Sequence, residues 1–335
     1  MAEIDEIVID DQIKEFHLFA GIGGGIYGGK LLGHRCVAGV EIDEYCQSVL
    51  KQRQVDGWLE PFDVYGDIFK LNGKDFENSF DVLCGGFPCQ AFSTAAHGRN
   101  ILDKNIWPAM YQFVQASNAP VVFGENVVFK AISQAKSDLE KIRYRVECCK
   151  LGCYELGADH QRNRFWLLAV KDEETFQKVV RHLNTLSKLK CETWVKSPND
   201  IVRGDGKDVR RQLKAVGNAQ SPFVAATAFR VLANRLNTTG KIYDTKVSKF
   251  EIEAVFDLQE TWIKKEFGKD FGLVHTPTTM ANYSAPSMMK HQGCRNFIKV
   301  FGRPAPLNAE YLMGFPMGAS SSEHQPIKNL TDWHE

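Results

Sequence analysis

Several features are scarce or missing in this 335-residue sequence, and each absence argues against a class of protein. Lys plus Arg and Asp plus Glu both number 41, so the chain lacks the basic surplus that is usual in nucleic-acid-binding domains. No apolar run approaches membrane-spanning length. The acidic start also lacks a basic segment followed by an apolar core, so we expect a soluble, non-secreted protein. No internal repeat and no long low-complexity tract occurs.

The cysteines do not form a recognisable framework. There are nine of them, an odd number, and no C-x-x-C pair exists. Cys148, Cys149 and Cys153 cluster, but no His or Cys follows at a spacing typical of zinc sites. This usage indicates thiols that serve as small apolar residues in a reducing compartment, without a disulfide or metal centre.

Short apolar runs alternate with helical patterns over the first two-thirds of the chain. The runs cover 15–21, 36–41, 81–86, 120–126, 144–151 and 164–170, and amphipathic stretches cover 43–54, 105–117 and 130–142. Such alternation predicts an α/β fold with a doubly wound, mostly parallel sheet. A polar, charged segment follows at 171–211, and a helical pattern returns over 212–237.

A neutral total charge conceals one basic stretch. Between Arg181 and Lys214 the chain carries nine Lys or Arg and four Asp or Glu, a local excess of +5. The stretch is either a solvated face or a surface that meets phosphates.

A glycine-rich loop follows the first predicted strand as Phe19-Ala20-Gly21-Ile22-Gly23-Gly24. Glycines there permit a sharp turn and close approach to a ligand, although the fingerprint G-x-G-x-x-G fails at Ile26. The second strand ends in Glu41, which is placed to accept hydrogen bonds from ribose hydroxyls. Asp67 would end a third strand, where it could accept from an adenine amino group. The alternative is a plain glycine turn with two surface carboxylates.

A second loop carries candidate chemistry. The fourth strand leads into the sequence GGFPCQAFS over 85–93, which places Cys89 at the carboxyl edge of a parallel sheet, where ligands bind. A lone cysteine is more often a buried apolar residue, but this one suits a nucleophile. The fifth strand ends in Glu125, a candidate acid, and Arg162 and Arg164 precede the next strand.

Six elements in this order resemble the cytosine-C5 DNA methyltransferase family. They are FAGIGG, the strand-end Glu41, GGFPCQAFS, ENV at 125–127, R-x-R at 162–164, and GNAQSP at 217–222. Together they span residues 15–222. The segment LNAEYLMGFPMG at 307–318 resembles the shorter phage- and prophage-type members.

The resemblance implies an S-adenosylmethionine-dependent methyltransferase fold with a smaller mixed second lobe. It implies Cys89 as nucleophile, Glu125 as the group that holds ring nitrogen 3 of cytosine, and Arg164 and Arg162 as holders of the base and nearby backbone. The cofactor is expected to be S-adenosylmethionine, and the product that leaves is S-adenosylhomocysteine. The residues expected to form its site are Phe19, Ala20, Gly21, Ile22, Gly23, Gly24, Glu41, Ile42, Asp67, Ile68, Phe87, Pro88, Ile106, Asn218 and Ala219. The expected DNA contacts are Gln90, Ser93, Arg203, Arg210, Arg211, Lys290 and Arg295.

The implied partner is double-stranded DNA. We expect a monomer without membrane attachment in the cytoplasm of a bacterial or phage-infected cell, and a cognate restriction endonuclease stays open. The family usually has Gln at the position of His160 and Pro at that of Asp159. The segment 94–107 also matches the family poorly, with Asp103 and Ile106 as the best candidates for its anchor on the cofactor side.

We predict two units along the chain. Residues 1–170 plus 212–239 form the catalytic and cofactor-binding domain, and 171–211 plus 240–335 form a small target-recognition lobe. Candidates in the tail for contact with DNA are Thr276, Thr278, Asn282, Tyr283, Ser284, Lys290, Gln292 and Arg295. The alternative is a tail that only buttresses the fold.

Other functions stay open at this point. An RNA cytosine methyltransferase would usually have a different residue after the cysteine, so Gln90 favours DNA. A non-catalytic DNA-binding regulator would be expected to have lost Cys89 or Glu125, or to carry an added helix-turn-helix. A carboxylated analogue of S-adenosylmethionine is a further alternative as the donor. Its added carboxylate would require a cationic residue near the methyl group, and the sequence has the neutral Asn218 there. The target DNA sequence cannot be read from the chain.

Overall fold

A computed structural model describes residues 12–88, 106–197, 208–238, 241–278, 283, 285–302 and 304–325. Its centre is a seven-stranded sheet with the order β3-β2-β1-β4-β5-β7-β6. The strands are β1 (Lys14–Leu18), β2 (Arg35–Val40), β3 (Asp63–Tyr65), β4 (Val82–Gly86), β5 (Val121–Asn126), β6 (Arg145–Leu151) and β7 (Arg164–Val170). Strand β7 runs antiparallel to both neighbours and the other pairs are parallel, which confirms the predicted mostly parallel sheet.

The helices of the described residues lie on both faces and at one end of the sheet. They are α1 (Gly24–Leu31), α2 (Glu44–Val55), α3 (Trp107–Ala116), α4 (Phe129–Lys141), α5 (Glu173–Asn184), α6 (Glu192–Val195), α7 (Val209–Asn218), α8 (Pro222–Asn237), α9 (Lys249–Val255), α10 (Trp262–Phe267), α11 (Gln292–Phe301) and α12 (Pro306–Met313). None of the helices in these ranges is long and apolar enough to span a membrane.

The sheet buries an apolar core on each face. On one face, Trp166 and Phe123 pack with Phe229 of α8 and Phe176 of α5. On the other face, α3 and α4 cover a second cluster that includes Phe16. This arrangement follows from strands whose side chains are apolar on both faces, as in a doubly wound sheet.

The helical pattern predicted over 212–237 is two helices in the structure. Helix α7 ends at Asn218, and α8 begins at Pro222. A proline disfavours helical backbone in the residue before it but suits the first turn of a new helix, so Pro222 divides the pattern. The break places the GNAQSP element in a turn at the sheet edge rather than on a helix face.

The C-terminal segment contributes to two apolar clusters. Residues 262–312 contribute to a small core of their own, which includes Phe297 and Tyr311. Met313 and Phe315, however, pack beneath the glycine loop with Tyr27. Helix α5, assigned from sequence to the small lobe, packs on the main sheet. In the described residues, α5 therefore packs with the main sheet, and Ala309 and residues 313–319 pack around the glycine loop, while the two predicted units stay a prediction.

Candidate functional site

A single large cleft opens at the carboxyl edge of the central strands. It has a volume of about 560 Å³ and lies where the strand order reverses between β1 and β4, the usual ligand crevice of such sheets. The loops after β1, β2, β4 and β5, strand β7 and the α7–α8 link contribute its walls. The predicted site residues that line it are Phe19, Ala20, Gly21, Gly24, Glu41, Phe87, Pro88, Glu125, Arg164, Arg211, Asn218 and Ala219.

The glycine loop turns in a backbone conformation that few residues adopt. Phe19, Gly21 and Gly23 have φ values of 57°, 56° and 89°. Glycine reaches this region without steric cost, whereas Phe19 is held there by the surrounding structure. A Cβ at Gly21 would meet no atom within 4 Å, so the backbone there faces open space. The loop can therefore lie directly against a ligand.

Glu41 braces this loop and faces the cleft. Its Oε2 accepts from the Gly21 amide at 2.7 Å, and its Oε1 accepts from the Asp43 amide at 2.8 Å. Burial raises the pKa of Glu41 above its usual range, while the two amides oppose that rise. Each carboxylate oxygen has a further lone pair, which leaves acceptor capacity for ligand hydroxyls.

Glu125 and Arg164 form the opposite end of the cleft. Arg164 Nε lies 3.0 Å from Glu125 Oε1, in an ion pair that is mostly buried. Beside them, Asn126 Nδ2 donates to the Phe87 carbonyl at 2.8 Å and so holds the loop that runs through Pro88 toward Cys89. Cys89 itself, with Gln90, Ser93, Asp103 and Arg203, lies outside the described residues.

Arg162 does not line the cleft. Its buried guanidinium donates to the carbonyls of Pro277 at 3.2 Å, Gly217 at 3.0 Å and Ala219 at 2.5 Å. In this structure it ties the α7–α8 link to the tail. The sequence assigned it to the base because it shares the R-x-R pattern with Arg164.

Six of the expected cofactor residues lie outside the cleft lining, for different reasons. They are the residues Ile22, Gly23, Ile42, Asp67, Ile68 and Ile106. Ile42 is 75% exposed beside Glu41. Asp67 accepts from the Phe69 amide at 3.0 Å and caps a turn. Ile68 is buried in the core. Their predicted roles stay predictions.

The expected DNA contacts occupy different places. Arg211 lines the cleft beside Lys214, and Lys214 Nζ pairs with Asp43 Oδ2 at 3.2 Å across its mouth. Arg210 is exposed. Arg295 donates to two carbonyls within its own segment, those of Met289 and Lys290, both at 2.8 Å. Lys290 itself is exposed.

The floor of the cleft contains a buried polar cluster that sequence reasoning missed. Glu15 Oε2 accepts from His17 at 2.8 Å and Oε1 accepts from His34 at 2.7 Å. Burial alone would raise the pKa of Glu15, but His34 and His17 lower it to about 2. Their positions in the strand pattern carried no motif that would have revealed this pairing.

Cys84 lies beside this cluster. One ligand atom each from Glu15, His17 and Cys84 falls within 4.8 Å of the others. Both Glu15 oxygens are already occupied by histidines, and burial raises the pKa of the Cys84 thiol well above its usual value. Both Glu15 oxygens thus have hydrogen-bond partners in His17 and His34, and the neighbouring Cys84 thiol stays protonated.

The fold and cleft define an α/β protein whose crevice combines a glycine-rich loop with a mostly buried carboxylate–guanidinium pair. Residues 13–316 match the model of the C-5 cytosine-specific DNA methylase family. Because this match covers most of the sequence, the chain belongs to that family. The predicted family resemblance is thereby confirmed.

Individual relatives match about half of the chain. Type II methyltransferase M.HhaI of Haemophilus parahaemolyticus is 28% identical over 174 residues, which cover 49% of this chain and 51% of the relative. Type II methyltransferase M.CviJI of Paramecium bursaria Chlorella virus IL3A is 26% identical, over 52% of this chain and 47% of the relative. The chain spans about half the length of the curated relatives it matches.

One solved structure is also similar. It is a mutant of DNMT2 from Spodoptera frugiperda, with a TM-score of 0.41 and 21% identity over 48% of this chain and 51% of that one.

Proposed function

We propose that the protein is a DNA (cytosine-5-)-methyltransferase. It transfers a methyl group from S-adenosylmethionine to carbon 5 of a flipped-out cytosine, through a covalent adduct with Cys89. One observation carries this proposal: a single cleft contains Glu41 and the glycine loop at one end, and Glu125 with Arg164 at the other. The loop that leads to Cys89 enters between the two ends through Phe87 and Pro88.

The cleft fits a nucleoside-containing cofactor. Its volume of about 560 Å³ lies within the range of ligand pockets. The open backbone at Gly21 and the acceptor capacity of Glu41 suit the ribose end, and Asn218 and Ala219 close the other wall. S-adenosylmethionine would supply an electrophilic methyl group there and would leave as S-adenosylhomocysteine.

The residues at the far end suit activation of cytosine. Carbon 5 of cytosine is a poor nucleophile until a thiolate adds to carbon 6 and converts the ring to an enamine. The Cys89 thiolate forms that bond, and Glu125 donates a hydrogen bond to ring nitrogen 3, which takes up the electron density. Arg164, held against Glu125, binds the base oxygen O2. Carbon 5 of the enamine would then take the methyl group; a base removes the original carbon-5 proton, and the electrons of that C–H bond restore the ring double bond as the thiolate leaves carbon 6.

DNA would approach over the open side of the cleft. The basic stretch between Arg181 and Lys214 borders it through Arg211 and Lys214. Arg210 is exposed and carries no ion pair among the described residues, so it suits a phosphate contact. We further propose a monomeric enzyme in the cytoplasm. A cognate restriction endonuclease is consistent with the type II names of the relatives.

The decisive experiment combines sequencing with one substitution. Bisulfite sequencing of plasmid DNA from cells that express the protein should reveal methylated cytosines in one sequence context. Cys89→Ala should abolish this methylation and leave S-adenosylmethionine affinity nearly unchanged, because the thiol acts on the base alone. Cys148→Ala, at a half-buried cysteine of β6, is the matched control and should stay active. Methyl incorporation by Cys89→Ala above a few per cent of wild type would refute the mechanism.

A further inference from the structure

Gln220 lies in the link between α7 and α8, where hydrogen bonds and close packing fix the backbone on both sides of it. On one side, Arg162 donates to the carbonyls of Gly217 and Ala219. On the other, a Cβ at Gly24 would lie only 2.3 Å from the Gln220 carbonyl oxygen, so glycine at position 24 lets α1 approach this link. The Gln220 side chain therefore starts from a defined point between the glycine loop and Arg162.

The Gln220 amide occupies a slot that two further glycines leave open. A Cβ at Gly25 would lie 2.7 Å from Gln220 Oε1. A Cβ at Gly86 would lie 2.7 Å from Gln220 Nε2 and 2.9 Å from Glu125 Oε2. A Cβ at either position would displace the Gln220 side chain or Glu125, so Gly25 of α1 and Gly86 of β4 leave room for the amide.

Within this slot the amide meets the Glu125 carboxylate. Gln220 Nε2 donates to Glu125 Oε2 at 3.3 Å, while Arg164 Nε lies 3.0 Å from Oε1. The terminal torsion of a glutamate is broad, so a carboxyl group with one partner turns easily. An amide that donates to one oxygen, together with a guanidinium in ion-pair contact with the other, restricts that rotation. The amide does so without adding a second positive charge, which would oppose protonation of Glu125.

We propose that Gln220 is a positioning residue for Glu125. Its amide holds the plane of the carboxyl group, so that the protonated group meets ring nitrogen 3 of the target cytosine. This inference rests on the proposed function, and it adds a residue from the GNAQSP element to the base-activating end of the cleft. The element thus serves both ends, because Asn218 and Ala219 line the cofactor side.

Other charged or titratable groups surround Glu125 and stay in place in the test. They are Arg164 on β7, the buried Arg162 just before it, and His17 on β1 at the cleft floor. Strand β4 contributes Gly86 and no charge. Cys89 belongs to the next loop and lies outside the described residues.

The test measures base activation apart from methyl transfer. When a thiolate adds to carbon 6, carbon 5 takes up a solvent proton; loss of its original hydrogen as a proton and departure of the thiolate restore cytosine. DNA that contains [5-³H]cytosine should therefore release tritium to water, even without cofactor. Gln220→Met, which keeps the length but removes the donor, should slow this release and kcat roughly 10- to 100-fold. Affinity for S-adenosylmethionine should not change.

The pH profile separates positioning from packing. A carboxyl group that loses its amide donor keeps its proton to higher pH. The alkaline limb of the exchange rate should therefore move to higher pH in Gln220→Met, and further in Gln220→Glu, which brings a second carboxylate. If Gln220→Met folds poorly, Gln220→Asn replaces it in the test. This variant retains the amide but withdraws it by one methylene, so it should show the same slower rate and the same shift of the alkaline limb.

A surface pair provides the matched control. Gln177 Nε2 donates to Glu173 Oε1 at 2.9 Å on the solvent side of α5, and Gln177→Met should leave rate and pH profile unchanged. If Gln220→Met released tritium at the wild-type rate and with the wild-type alkaline limb, the positioning role would be overturned. An equal loss at every pH together with weaker cofactor binding, which indicates packing alone, would overturn it as well. If the wild-type protein itself neither methylates DNA nor releases tritium, the proposed function fails first and this inference with it.

Discussion

At the scale of single residues, the cleft depends on side chains whose polar atoms are shared between the fold and the ligand. Glu41 accepts from the amides of Gly21 and Asp43 and still faces the cleft. Gln220 and Arg164 flank Glu125 in the same way. Such residues combine shape and chemistry, so their substitution affects binding and local structure together.

Glu41 provides the first prediction. Glu41→Gln keeps the size of the side chain but removes the charge that suits ribose hydroxyls. A charge-assisted hydrogen bond contributes about 1.5–3 kcal/mol, so the dissociation constant for S-adenosylmethionine should rise roughly 10- to 150-fold by calorimetry. Glu44→Gln, at an exposed position in the first turn of α2, is the control. An unchanged constant in Glu41→Gln would place this carboxylate outside the cofactor site.

His160 provides a prediction about pH. Its ring is fully buried, neither nitrogen has a hydrogen-bond partner, and burial with the nearby Arg162 lowers its pKa from 6.5 to about 3. The unfolded chain binds a proton below about pH 6.5 and the folded chain does not. The resulting loss of unfolding free energy is therefore absent above about pH 6.5, and it grows as the pH falls toward 3.

His160→Gln should remove this acid sensitivity. The slope of unfolding free energy against pH should become flatter by up to about 1.4 kcal/mol per pH unit within that window. Urea denaturation between pH 7 and pH 5 measures it, with the exposed His291→Gln as the control. Equal slopes in wild type and His160→Gln would mean that the folded protein accommodates a proton on His160.

At the scale of elements, helix α1 is shaped by what lies beneath it. A Cβ at Gly28 would lie 3.1 Å from the Cβ of Ala225 on α8, and one at Gly29 would lie 2.0 Å from Glu15 Oε2. Glu15 cannot move freely, because His17 and His34 hold both its oxygens. The glycines that follow the ligand loop thus serve helix packing rather than the ligand.

Gly29→Ala should test this packing. Overpacking in a core typically costs about 1–3 kcal/mol, and we expect the free energy of unfolding to fall by that amount in chemical denaturation. Gly66→Ala is the matched control, since its new Cβ would be 3.5 Å from the Gln47 side chain, an ordinary contact. Equal stability of Gly29→Ala and Gly66→Ala would show that Glu15 can yield without cost.

At the scale of the whole molecule, the C-terminal segment serves two structural units. Phe315 stacks edge-on against Tyr27 with ring centroids 5.8 Å apart, and Arg53 donates to the Gly318 carbonyl at 3.1 Å. The buried Glu310 accepts from the amides of Gly318 and Ser320. These contacts cover α1 and α2 behind the glycine loop, so the segment supports the cofactor end of the cleft.

Truncation after Thr239 should therefore abolish cofactor binding as well as methylation. Removal of Phe315 and its neighbours uncovers the apolar surface around Tyr27 and Ile22. Phe315→Ala in the full chain is the milder version, with an expected loss of about 3–5 kcal/mol of stability. Thermal melting and calorimetric titration measure both variants. If the truncated protein binds S-adenosylmethionine like the full chain, this supports the domains predicted from sequence, in which 240–335 form a separate lobe with 171–211.

Local sequence patterns were enough to predict the order of strands and helices along the chain and the loops that carry the candidate chemistry. Apolar runs separated by helical patterns require a buried parallel sheet, and the ends of such strands meet at one edge. Glu41 and Glu125 were identifiable for that reason, since each closes a strand. The family motifs were readable because they are short, local and rich in residues with unusual backbone or reactivity.

Packing between segments that are distant in sequence set which side chains meet. Arg162 and Arg164 look alike in sequence, yet a φ of 82° at Arg162 and the tail carbonyl of Pro277 draw the first into the fold. Gln220 reaches Glu125 across 95 positions, and Phe315 reaches Tyr27 from the far end of the chain. Such contacts depend on the strand order and on how closely glycines let helices approach, and neither is encoded in local periodicity.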